Sequence, residues 1–126
     1  MKNSLIFLLL VCFYQALGQN KLNQATEHQA DKVCEMISQL PEIIKADNYC
    51  KKLSKGKRHL VTFIDGYPGG DDHSYLIKVA EDNGSSYHAW FLFVYKPGSK
   101  KVEFYDPAKD QYISLKKWRK NYRAYI

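Results

Sequence analysis

Residues 87–96, Tyr87-His88-Ala89-Trp90-Phe91-Leu92-Phe93-Val94-Tyr95-Lys96, are apolar on both alternating faces. In an extended chain Tyr87, Ala89, Phe91, Phe93 and Tyr95 share one face, and Trp90, Leu92 and Val94 share the other. A run of aromatic and branched residues with no polar face describes a central strand covered on both sides. Its flanks carry turn chemistry: Asn83-Gly84 before it and Pro97-Gly98 after it.

Working outward, residues 73–81 (HSYLIKVAE) alternate Tyr75, Ile77 and Val79 on one face. Residues 58–67 (RHLVTFIDGY) form an earlier strand pattern, closed by the Tyr67-Pro68-Gly69-Gly70-Asp71-Asp72 turn. On the other side, residues 101–106 (KVEFYD) read as a further strand and Asp106-Pro107 as a turn. A short segment, Gln111 to Ser114, then leads into a helical stretch (SLKKWRKNY) capped by Ser114.

The N-terminal half has a different period. Ala30, Val33, Cys34, Ile37 and Leu40 recur at amphipathic helix spacing, with Thr26 as the expected cap and Glu27 in the first turn. Pro41 opens a second helical segment, where its missing N–H costs nothing, and Ile43, Ile44, Ala46, Tyr49, Cys50 and Leu53 continue the pattern up to Gly56. Residues 27–126 are therefore expected to form one α+β domain. An N-terminal helix, bent or broken near Pro41, packs on a four- to five-stranded antiparallel meander, with a short C-terminal helix.

Residues 1–18 read as a cleavable signal peptide. Lys2 is followed by an apolar run from Leu5 to Tyr14, shorter than the roughly 20 residues a membrane span needs. Ala16 and Gly18 place small side chains for cleavage after Gly18. Cys12 lies inside the apolar run after Val11, which disfavours lipoprotein processing. Residues 19–26 are a polar lead-in. The expected product is secreted or periplasmic, with no transmembrane segment after cleavage.

Cleavage removes Lys2 from the 19 basic residues and none of the 13 acidic ones, taking the net charge from +6 to +5. That mild basicity does not point to nucleic acid. It also leaves two cysteines, Cys34 and Cys50, which an oxidising compartment could bridge. Along one straight helix they would stand roughly 24 Å apart, whereas a disulfide needs about 4.4–6.8 Å. A bridge requires the chain to fold back at Pro41; without that, both stay reduced.

Candidate sites are few. Asp71, Asp72 and His73 form the densest polar cluster, a weak metal candidate without recognisable ligand spacing; a solvated loop is the plainer reading. His59, Asp65 and His88 are the residues a pocket would use, but His59 and Asp65 lie about 20 Å apart on one extended strand. No cofactor fingerprint and no catalytic nucleophile in a strained turn is present, so no catalytic residue is assigned. The aromatic surplus suggests binding instead: Tyr87, Trp90, Tyr95, Tyr105 and Trp118 are candidates for an exposed patch. Lys116, Lys117, Arg119 and Lys120 surround Trp118 and could contact an anionic surface.

The helix-on-sheet order resembles the cystatin-like arrangement and its NTF2-like elaborations, although the cystatin inhibitors' central Gln-Val-x-Ala-Gly loop is absent. The stretch from Val79 to Lys120 (VAEDNGSSYHAWFLFVYKPGSKKVEFYDPAKDQYISLKKWRK) resembles the endings of small uncharacterised exported proteins of Bacteroidetes-type bacteria, and of immunity proteins on NTF2-like sheets. The resemblance implies a periplasmic or surface setting. The expected function is a protein-binding module, immunity- or inhibitor-like, without a cofactor or catalytic activity. The alternative is a small-ligand-binding or hydrolytic domain with a pocket between helix and sheet.

Overall fold

The computed structural model describes Lys21, residues 24–69 and residues 73–122. The segment read as a signal peptide, and Asp71 and Asp72, lie outside the described residues. Two helices come first: α1 (residues 24–38) and α2 (Pro41–Leu53). Helix α1 is already helical at Gln24, so Thr26 lies within it and is not its cap. Pro41 occupies the first turn of α2, so the chain breaks between the helices at Gln39 and Leu40.

Five strands follow: β1 (His59–Gly66), β2 (Tyr75–Asp82), β3 (Tyr87–Lys96), β4 (Lys101–Asp106) and β5 (Gln111–Ser114). They form one antiparallel sheet in the order β1-β2-β3-β4-β5, and α3 (Leu115–Lys120) closes the described chain. The α+β meander expected from the sequence is thus the observed fold, with Gln111–Ser114 as its fifth strand. Ser114 caps α3 by accepting a hydrogen bond from the Lys117 amide at 3.2 Å.

The turns follow local chemistry. Gly84 adopts φ +87°, a conformation that favours glycine, in the β2–β3 hairpin. The Asn83 side-chain oxygen there accepts from the amides of Ser85 and Ser86 at 3.0 and 2.9 Å. After α2, Gly56 at φ +81° donates its amide to the Lys51 carbonyl at 2.8 Å. The buried Ser54 hydroxyl donates to Cys50 O and accepts from the Arg58 amide, turning the chain into β1.

The helices cover one face of the sheet. Ala30, Cys34 and Ile37 of α1 and Ile43 and Ala46 of α2 pack with Ile77, Val79, Phe91, Phe93, Phe104 and Ile113. Trp118 joins this core with 0 % of its surface exposed; its ring stacks on Phe104 at 5.2 Å and meets Phe93 edge-on at 5.3 Å. Burying each such aromatic side chain contributes about 2–3 kcal/mol. The opposite face has no described layer over it. It carries Phe63, Lys78, Leu92, Tyr105 and Tyr112, whose strands align in register. The sequence predicts two-sided cover of β3, but only Phe91 and Phe93 to Tyr95 are buried, and Tyr87 to Ala89 are exposed.

The reason is a β-bulge. Val79 pairs with Phe91 and Ala80 with Ala89, so Trp90 is an extra residue opposite β2. The bulge shifts the alternation by one. Tyr87 and Ala89 therefore lie on the outer face, whereas simple alternation would put them with Phe91, Phe93 and Tyr95 on the core face.

Candidate functional site

Strand β3 pairs with β2 from Tyr87 to Tyr95, but with β4 only from Phe93 to Lys96. Beyond Phe93 the bulged half of β3 and the β4–β5 turn leave a gap. Among the described residues no strand occupies the edge from Tyr87 to Leu92 on that side. A cleft of about 690 Å³ opens there. Ala89 to Leu92 form one wall, Tyr105 to Lys109 the other, and Asn121 lies at the end of α3. Most of this lining is apolar, supplied by Trp90, Phe91, Leu92, Phe104, Pro107 and Ala108.

Each wall is held from behind. Phe91 packs on Trp118 and Tyr122 at ring separations of 5.8 and 6.2 Å. Tyr122 in turn donates its hydroxyl to the Glu42 carbonyl at 2.7 Å, which ties the end of α3 to the start of α2. Trp90 Nε1 donates to Glu81 Oε2 at 3.2 Å, and Arg58 Nη1 donates to Glu81 Oε1 at 2.6 Å. On the other wall Asp106 Oδ1 accepts from the Ala108 amide at 3.0 Å, shaping the β4–β5 turn. The Tyr105 hydroxyl donates to Asp110 at 2.8 Å, and that hydrogen bond pushes its pKa above the usual tyrosine value.

The aromatic candidates divide. Tyr87 is 61 % exposed on the outer face, with its ring 5.3 Å from that of Phe63. Tyr105 lies on the same face, 5.5 Å from Tyr112, and lines the cleft with Trp90. Tyr95 and Trp118 are corrections: at 1 % and 0 % exposure they are core residues, not a surface patch. Trp118 lies one helical turn from both Leu115 and Tyr122, and this apolar stripe turns its side of α3 inward. Trp118, being buried, is not an exposed anchor for the basic residues around it. Arg119 is also engaged, donating to Glu42 at 3.0 Å.

The pocket candidates do not converge. His59 pairs with Asp82, whereas His88 pairs with Glu81, one position on, so the two histidines lie on opposite faces. Asp65 is engaged by Lys78 at 2.8 Å. His73 is exposed, and among the described residues no group of His, Cys, Asp and Glu side chains has metal-binding geometry. Between helices and sheet the space holds packed aromatic side chains where the pocket reading wants a polar cavity.

No disulfide joins Cys34 and Cys50; both are free, buried thiols. The chain does break at Pro41, but Cys34 packs in the core while Cys50 lies by Glu81. Burial, followed by the nearby Asp31 charge, pushes the Cys34 thiol up to about 11. Burial and then Glu81 raise the Cys50 thiol as well. Both shifts hold the cysteines further from the reactive thiolate.

Leu92 and Lys109, both in the cleft, were not singled out from sequence, and neither was Glu81. The available signal was the length mismatch between the ten residues of β3 and the six of β4, which leaves part of the longer strand unpaired. Compared with known proteins, the chain matches no family model, no curated protein and no solved structure.

Proposed function

We propose that the chain is a secreted or periplasmic protein-binding module, immunity- or inhibitor-like, that acts by engaging another protein and not by catalysis. The observation that carries this reading is the edge of β3 from Tyr87 to Leu92, which no strand among the described residues pairs, standing over an apolar cleft. A strand edge offers main-chain donors and acceptors in a row, and an apolar floor beside it takes alternate side chains of an added segment. The uncovered sheet face continues the surface through Leu92 and Tyr105. The resemblance of the Val79–Lys120 stretch to immunity proteins on NTF2-like sheets fits the same reading.

Photo-crosslinking in the producing cell tests it. A photoreactive residue replaces Ala89 or Lys109 at the cleft, with Ser99 in the opposite β3–β4 turn as the control. The expected result is one shared crosslinked protein from the two cleft positions and none from Ser99. Absence of a product from both cleft positions, or equal labelling from Ser99, rejects the reading.

A further inference from the structure

The solvent side of α2 joins exposed apolar groups to unneutralised charge. Tyr49 and Leu53 are 51 % and 58 % exposed, and with Lys45 they follow at four-residue spacing along one flank of the helix. Lys52 stands beside them, and Lys55 and Lys57 follow in the turn that ends the helix. All four lysines are exposed, and among the described residues none has an ion-pair partner.

The neighbouring charges are already committed. Asp47 holds Lys51 and the Leu60 amide, and Glu81 holds Arg58. The patch is therefore net cationic, with a tyrosine and a leucine set among the lysines. The cleft lies elsewhere, at the β3–β4 gap. Flexible lysines around a convex apolar ridge do not need a partner of matched shape. They suit a fluid anionic surface, where phosphates gather round the ammonium groups and Tyr49 and Leu53 enter the headgroup boundary.

We propose that this face of α2 docks the protein on an anionic lipid bilayer, with Lys45, Lys52, Lys55 and Lys57 contacting headgroup phosphates. The proposal is independent of the cleft. Helix α3 supplies an internal control: Lys116, Lys117 and Lys120 are also exposed, but Trp118 beside them is buried.

The test is sedimentation with vesicles, using protein carrying the N-terminus it has in the cell, fixed by mass spectrometry. Vesicles of phosphatidylcholine alone are compared with vesicles containing about one-third phosphatidylglycerol, at low and high salt. Binding is expected only to the anionic vesicles and is expected to weaken with salt. Lys52→Glu with Lys55→Glu lowers the partition by about tenfold or more. Tyr49→Ser with Leu53→Ser lowers it several-fold with no change in charge, and urea midpoints confirm that both pairs remain folded. Lys116→Glu with Lys117→Glu, an equal change in charge, alters it by less than about twofold. Equal losses from the two lysine pairs would mean a diffuse charge effect and overturn the proposal. So would the absence of vesicle binding, or binding indifferent to Tyr49 and Leu53. If the protein is retained by immobilised polyglutamate but not by the vesicles, and Lys52→Glu with Lys55→Glu abolishes that retention, the patch serves an acidic protein and the lipid assignment falls.

Discussion

Arg58 and Glu81 meet at 2.6 Å, joining the turn after α2 to a carboxylate that is buried in the sheet. Glu81 also accepts from Trp90, the bulge residue, so one side chain links helix end, β2 and β3. Replacing it by alanine strands the Arg58 charge and the Trp90 N–H. Arg58 is partly exposed, and water screens the loss, so Glu81→Ala is expected to cost about 2 kcal/mol. Glu81→Gln keeps one acceptor oxygen but turns its amide NH2 toward the other donor, so it recovers only part of the loss and costs about 1 kcal/mol. Urea unfolding measures both; equal stability in Glu81→Ala and the parent would show that the link carries no weight.

Trp118 gives the second prediction. It contacts Phe91, Phe93, Phe104 and Tyr122, and nothing of it reaches solvent. Trp118→Ala should therefore destabilise the fold by about 3–5 kcal/mol, through lost contact and a cavity. A surface aromatic would lose under about 0.5 kcal/mol on the same change. Thermal unfolding of the variant separates the two outcomes.

These two residues show where the sequence was legible and where it was not. Tyr75, Ile77 and Val79 announce a strand because period-two alternation survives as long as pairing is regular. Pro41 announces a helix start because its ring suits few other positions. Residues 87–96 conceal their bulge, because a run apolar on both faces carries no parity against which a one-residue slip would show. The cleft follows from that bulge and was hidden with it. Glu81 lies at the end of a strand, where a carboxylate normally reads as solvated. Its burial depends on Arg58 and Trp90, which only the fold brings to it. The four cations around Trp118 make it read as a surface residue, although Leu115 and Tyr122 mark the inward stripe.

The thiols give a prediction about alkaline pH. Cys34 ordinarily ionises near 9 and in the fold near about 11, because burial disfavours the thiolate. The folded state therefore holds its proton more tightly than the unfolded chain. The stability this contributes is complete below pH 9 and is lost as the pH rises through about 11. The urea midpoint should fall across that interval, and Cys34→Ala should flatten part of the fall. Cys50, Tyr75, Tyr95 and Tyr122, also raised by burial, contribute to the rest. A midpoint independent of pH over this range would contradict the assignment.

Asp47 connects the helical layer to an otherwise open sheet margin. Among the described residues strand β1 has a strand partner on one side only, and its Leu60 amide is taken by Asp47 Oδ1 at 2.8 Å. The other carboxylate oxygen pairs with Lys51, which orients the side chain along α2. An edge amide held this way is unavailable to another chain, so the contact both clips α2 to β1 and blunts the edge. Asp47→Ala should cost about 1–2 kcal/mol, since the amide loses a charged acceptor in a half-buried setting. It should also raise the concentration-dependent aggregation rate at a fixed denaturant level. Asp47→Asn keeps an acceptor oxygen but gives up the ion pair with Lys51, which is exposed and weak, so it should recover most of the stability. If Asp47→Asn is as unstable as Asp47→Ala, the ion pair and not the edge hydrogen bond is the working part of the clip.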